Sequence, residues 1–245
     1  MAKNIGIIKF TGKLGGLSGR DTAFGNVIQT PGGFKSEAVK NEARYLPTRQ
    51  LAAEFGRCSK IASLFRQLLL PYLKLLPDPY VYNHIQKRMA AIKACDVDSP
   101  KGEKTVGKGL LTADGAALLR DFSFDRKRQF YFTGMQSHSF DAELGVLALE
   151  GLDVAQFNFP AGADTLAFQL LLLRVDFDAP SAALQCSEFV YVLKTEGVIS
   201  VRLQAVVPDG EGMVVGVLFS GYCGVGDLVV WRKKGVVLQV VGIEV

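Results

Sequence analysis

Several short stretches of this chain carry residue types at spacings that could do chemistry. GEKTVGKG, Gly102–Gly109, comes close to the phosphate-binding loop GxxxxGK[ST], in which backbone N–H groups cradle a phosphate and the last hydroxyl ligates magnesium. Here Gly109 stands where that hydroxyl belongs, and polar CDVDSPK precedes the loop in place of an apolar strand, so a basic surface loop is the better reading. DVDSPKGEKTVG overlaps it and opens like a calcium loop, with Asp96 and Asp98 two apart. It then sets Pro100 at the third ligand position, Lys101 at the glycine position and Gly107 in place of the bidentate glutamate. A helix end followed by a solvated turn accounts for it. RQFYFTG, Arg128–Gly134, has the aromatic pair Phe130 and Phe132 of an RNA-binding strand but lacks the glycine after its basic residue. A sheet core takes such a pair more often, although Arg126, Lys127 and Arg128 beside it keep nucleic-acid contact in view.

The inventory for nucleophilic catalysis is thin. His84 falls on an expected helix and His138 in QSHSF, neither beside a nucleophile motif. VLFSG around Ser220 lacks the first glycine of GxSxG. GYCGVG has its glycines in the reverse order of a dinucleotide fingerprint and leads into a strand. Cys58, Cys95, Cys186 and Cys223 are scattered without CxxC pairing, which reads as free thiols and not as a zinc or disulfide framework. No catalytic, cofactor-binding or metal-binding residue is assigned, and a non-enzymatic protein without cofactor is the expectation.

The elements that would position these residues are easier to read. In TRQLAAEFGRCSKIASLFRQLLLPYLKLLPD, Leu51, Phe55, Cys58, Ala62, Phe65, Leu69, Tyr72 and Leu76 recur at alternating steps of four and three, one face of a helix. Arg49, Arg57, Lys60 and Lys74 project from the opposite face, with Arg66 on its flank. Pro71 should kink or restart the helix, because it lacks an N–H and crowds the preceding turn. Asp78 and Pro79 suit the cap and first position of a second helix, whose stripe is Val81, Ile85, Met89, Ile92 and Cys95, with Lys87 and Arg88 alongside. The spacing predicts a helical hairpin over about 48–95. Glu54 falls by helical angle among Cys58, Phe65 and Tyr72, so it needs a partner from outside its own helix, an arginine or a backbone donor.

Before the hairpin, residues 1–34 are punctuated by Gly15, Gly16, Gly19, Gly25, Gly32 and Gly33 and read as an extended, β-rich arm that packs poorly alone. Residues 35–119 are the helical region. From 120 to 245, seven to nine short apolar runs separated by Gly, Pro, Asp and Ser predict an antiparallel β-sandwich. The fold class expected is therefore α+β: Gly-rich arm, helical hairpin, then β-sandwich. At 245 residues, 49% apolar and 21% charged, the chain is long enough for a sizeable core. No apolar run approaches the ~20 residues of a membrane-spanning helix and no signal peptide is recognised, so a chain cytoplasmic at synthesis is expected, with release as an assembled particle left open.

Charge is unevenly divided. Residues 1–128 hold 22 Lys/Arg against 11 Asp/Glu, a balance of +11, and residues 129–245 hold 6 against 13, a balance of −7. Such a split points to an anionic partner for the front half, or to the front of one copy meeting the back of another.

GIIKFTGKLGGL, TRQLAAEFGRCSKIASLFRQLL, DVDSPKGEKTV, LLRDFSFD and GDLVVWRKKGVVLQVVGIEV, in that order, resemble a family common in genomes of Bacteroidota and their mobile elements. The resemblance implies the domain order above and a bacterial origin. The family has no known activity to lend, and no residue role is carried over from it.

Two functions from different classes follow. The first is a structural subunit that self-assembles into a filament, tube or other homo-oligomer, head to tail, with exchange of the N-terminal arm. The second is a nucleic-acid-binding accessory protein. The candidate interface or anionic-partner contacts are Arg49, Glu54, Arg57, Lys60, Arg66, Lys87, Arg88, Arg126, Lys127 and Arg128.

Overall fold

The computed structural model describes residues 2–6, 9–30, 36–120, 122–125, 136–224, 230–231 and 235–244. The chain is mixed α+β and divides between Arg49 and Gln50 into two compact units.

The first unit holds β1 (Ala2–Lys3), β2 (Gly12–Leu14), β3 (Leu17–Thr22) and β4 (Gly25–Gln29), paired antiparallel in the order β1-β4-β3-β2. A short helix α1 (Ser36–Asn41) and a 3-10 turn (Ala43–Tyr45) follow. Its interior is polar. Asn26 is buried and donates through Nδ2 to the Phe10 carbonyl at 2.9 Å and to Asp21 Oδ1 at 2.7 Å, while accepting from Asn4 at 3.0 Å. Val27 is the single apolar side chain buried among this unit's described residues.

Helix α2 (Leu46–Leu68) carries the chain across the division. It ends where expected: α3 (Leu70–Leu73) restarts after Leu69 with Pro71 in its first turn, where the missing N–H has no intrahelical partner to lose. The next helix, α4 (Val81–Ala94), starts later than the sequence suggested. Asp78 Oδ1 accepts from the Tyr80 N–H at 2.8 Å, a local turn that holds Pro79 and Tyr80 outside the helix. The contact pairs Glu54–Lys93, Cys58–Met89 and Arg66–Tyr82 run in opposite directions along α2 and α4, which makes them the antiparallel hairpin. Two short helices, α5 (Val106–Leu110) and α6 (Ala113–Arg120), complete this layer.

The strands of the second half are β5 (Ser137–Asp141), β6 (Val146–Asp153), β7 (Thr165–Asp176), β8 (Ser181–Cys186), β9 (Val190–Leu193), β10 (Val198–Gln204), β11 (Met213–Gly224), β12 (Val230–Trp231) and β13 (Val237–Glu244). All pair antiparallel. The larger sheet centres on β7 and β11, in register from Met213 opposite Val175 to Cys223 opposite Thr165. β8 and β9 lie end to end along the free side of β7, and β13 and β12 do the same along β11. The smaller sheet is β10-β6-β5.

Alternation along β7 explains the layering. Leu171, Leu173 and Val175 belong to a core shared with Cys58, Phe65, Ile85, Met89 and Leu119 of the helices. Leu166, Phe168, Leu170 and Leu172 point the other way, into a core with Leu147 and Leu149 of β6 and Val201 and Leu203 of β10. A strand dry on both faces must be apolar throughout, as TLAFQLLLL is. The order of layers is helices, larger sheet, smaller sheet. Helical cover on one face of the larger sheet was not anticipated from the strand pattern.

The close helical layer leaves no room at Gly109, where a Cβ would stand 2.1 Å from the Ile92 carbonyl oxygen, whereas one at Gly56 on α2 would meet nothing within 4 Å. Gly109→Ala is expected to lower stability by about 2 kcal/mol or more. Gly56→Ala should raise it by about 0.5–1 kcal/mol through helix propensity alone. Urea denaturation of the two variants checks both signs.

Candidate functional site

The residues singled out on α2 converge on the chain that follows α4. Glu54 is 2% exposed, and its carboxylate accepts from Lys93 Nζ of α4 at 2.5 Å and from the Gly102 N–H at 2.7 Å. The backbone donor expected from outside the helix is therefore Gly102, and the cation is a lysine where an arginine was the expectation. Gly102 adopts φ +100°, left-handed backbone that a side chain would strain, and this turns its N–H inward. Its carbonyl accepts in turn from the Arg57 guanidinium, which also reaches the Lys104 carbonyl at 3.3 Å. Asp96 closes the other end, accepting from the Ser99 N–H at 3.0 Å and the Thr105 N–H at 3.1 Å. Lys108 Nζ donates to Ser99 Oγ at 2.9 Å. Residues 96–105 are thus a strap, tied down by two buried carboxylates and one guanidinium.

The side chains of the motif-like segment are used as follows. Asp96 spends its oxygens on backbone N–H groups, and among the described residues no three His, Cys, Asp or Glu side chains are placed to hold a metal ion. Thr105 caps the five-residue α5 by accepting from the Lys108 N–H at 3.1 Å. Gly107 lies against Asp178, whose carboxylate oxygen would be 2.8 Å from an added Cβ, so a carboxylate faces this loop.

Beside the strap is a cleft of about 210 Å³ lined by Arg57, Lys60, Ile61, Thr105, Val106, Phe177, Asp178 and Pro180. Its rim sets two cations from α2 against the exposed Asp178 of the β7–β8 turn. That suits a docked polar or acidic side chain.

The remaining candidates divide. Arg49 donates to the carbonyls of Val39 and Glu42, both at 2.9 Å. Arg66 lies over the Tyr82 ring at 5.8 Å and Arg88 over the Phe122 ring at 5.2 Å. Lys60 and Lys87 are exposed and form no ion pair with any described residue. Glu54, Arg57 and Arg49 are each engaged by bonds within the chain. Arg126, Lys127, Arg128 and the RQFYFTG stretch lie outside the described residues. The apolar stripe of α2 needs correction as well: Leu51 and Phe55 are 51% and 59% exposed. The strap packs on the Gln50–Glu54 line of the helix, with Gly102 against Gln50, and so covers the flank next to those two residues.

The groups weighed for catalysis lie apart from one another among the described residues, on β5, β11 and the helices. Burial pushes the thiols of Cys58 and Cys223 up, which disfavours their thiolate forms. Ser220 is buried on β11, and His138 is exposed on β5. His84 Nδ1 is 3.1 Å from Asp78 Oδ2, near enough to pair electrostatically although not aligned for a hydrogen bond. Tyr72 reaches from α3 to donate to Gln169 Oε1 at 2.9 Å, with Cys186 Sγ at 3.5 Å; burial, then the Cys186 contact, raises its phenol. No helix among the described residues is long and apolar enough to cross a membrane.

No family model matches this chain, and no curated protein or solved structure does.

Burial drives the Glu54 carboxyl upward, but Lys93, the Gly102 N–H and Lys104 outweigh it and hold it below its ordinary value; Asp96 is lowered in the same way by the Thr105 and Ser99 donors. Carboxyls depressed in the folded state add stability that is complete above their unfolded values, about 4, and is lost as pH falls through the folded ones. The thermal midpoint should therefore fall on acidification below about pH 4, and less steeply in Glu54→Gln. At neutral pH, Glu54→Ala leaves Lys93 and the Gly102 N–H without a partner and should cost about 3 kcal/mol. Lys60→Ala, on the surface, should change stability by less than about 0.5 kcal/mol. Equal losses in the two variants would contradict this assignment.

Proposed function

We propose that this protein is a non-enzymatic structural subunit that assembles with copies of itself, its basic front half meeting the acidic β-rich half of a neighbour. The observation that carries the reading is the +11 and −7 charge division together with where its charges lie. Lys60 and Lys87 stand exposed and unpaired among the described residues, as do Glu143, Asp209 and Glu211 at turns of the β-rich half. A contact between unlike faces is heterologous, and repeats into a ring or a filament according to whether its rotation closes. In this reading the two sheets joined by one core are the layers of a sandwich. The glycine-punctuated first unit, with Val27 as its one buried apolar residue among those described, is the arm that one copy lends to the next. The motif resemblance to Bacteroidota proteins fits a bacterial origin for such a subunit.

Sedimentation velocity tests the charge contact. The wild type is expected to sediment as an assembly at low salt and to dissociate as salt screens the contact over a Debye length of ~10 Å or less. K60E/K87E should dissociate at lower salt while keeping the wild-type thermal midpoint. If binding to DNA or RNA, and not self-association, responds to salt and to these substitutions, the nucleic-acid reading replaces this one.

A further inference from the structure

The two long edges of the larger sheet are finished differently. On the β13 side the chain doubles back: Phe124 N–H donates to the Leu238 carbonyl at 3.0 Å, Val240 N–H donates to the Phe122 carbonyl at 2.9 Å, and Ser123 bridges to Gln239. On the opposite side, β8 pairs with β7 and with no other strand among the described residues.

Hydrogen-bond phase identifies which groups β8 presents outward. Ser187 N–H donates to the Leu170 carbonyl at 2.9 Å and Lys194 N–H to the Asp164 carbonyl at 2.8 Å, so the even-numbered residues of β7 bond toward this edge. Bonded pairs recur every second residue. In the observed register Leu172, Arg174 and Asp176 therefore bond Gln185, Ala183 and Ser181. The N–H and C=O groups of Ala182, Leu184 and Cys186 are left facing away from the sheet.

An open row of this kind accepts another strand, and proteins that keep such an edge single guard it with charge, proline or a bulge. SAALQC, Ser181–Cys186, has no charge, no proline and no register shift. The strands β1, β2, β5, β10 and β13 each carry Lys, Arg, Asp or Glu. Along the same edge, β9 adds exposed Tyr191 and Leu193, at 44% and 48%.

We infer that β8 is a strand-pairing interface and that its occupant is β8 of a second copy, antiparallel across a two-fold axis at Leu184. That register sets Ala182 opposite Cys186 of the second copy and Leu184 opposite itself, so all three outward residues bond in both chains. It sets the exposed side chains of Ala183 and Gln185 opposite one another. Because SAALQC carries no charge, pairing two copies of it in this register brings no like charges together. This inference rests on the reading of the protein as self-assembling, and adds to the head-to-tail charge contact a symmetric one that joins copies in pairs.

The register supplies a charge-swap test by sedimentation velocity at high salt, where the charge contact is screened. The wild type is expected to remain a dimer. A183K/Q185K sets lysine against lysine twice and should weaken the dimer at least about tenfold, while A183K/Q185E sets lysine against glutamate twice and should restore it. Hydrogen exchange on the wild type gives an independent readout: the amides of Ala182, Leu184 and Cys186 should slow on association. A wild-type dimer indifferent to both substitutions, with these amides unprotected, would overturn the inference and leave self-assembly standing. A wild type that is monomeric at every salt concentration would overturn both. Should A183K/Q185K fail to fold, unprotected amides in the wild-type dimer decide against β8 by themselves.

Discussion

The second unit depends on one constraint: β7 and β11, twelve residues each, pair over nearly their full length and are dry on both faces. Backbone groups in such strands are satisfied only by neighbours in the sheet, and side chains only by layers above and below. Each layer follows from one set of alternate residues. The helices cover Leu171, Leu173 and Val175 on one side, and the smaller sheet covers Leu166, Phe168, Leu170 and Leu172 on the other. The polar exceptions obey the same rule. Gln169, 7% exposed, donates to the Ser187 carbonyl and accepts from Tyr72, so it costs no unsatisfied group.

The helical layer has its own polar anchor. A buried carboxylate at Glu54 would be costly alone, since a charge removed from water is tolerated only with a partner and hydrogen bonds. Lys93 and Gly102 supply them and, with Arg57 and Asp96, make a fastening of a stretch whose sequence partly resembles ligand-binding loops. The fold thereby consumes part of the cationic face that the charge pattern advertised. Lys60, Lys74 and Lys87 remain exposed in the helical region, and a cleft opens beside Arg57.

Regular periodicity was legible: the α2–α4 hairpin, the break at Pro71, the β-rich second half and the burial of Glu54 all follow from spacing and residue type. Three features were not. Leu51 and Phe55 share the apolar stripe but lie outside, because cover depends on which flank the distant strap packs against. The roles of Asp96 and Gly102 depend on backbone N–H groups, which leave no mark in side-chain pattern. Helical cover of the larger sheet was hidden for a related reason, although the uninterrupted LAFQLLLL carried the signal: a strand wet on one face alternates, and this one does not.

Self-association by the folded chain is the claim that joins the charge division to the exposed edges. Electron microscopy of the purified wild-type protein, at high concentration and moderate salt, tests it most directly. The account predicts particles of repeating subunits, as rings, tubes or filaments. A uniform field of single 26.6 kDa chains would contradict it.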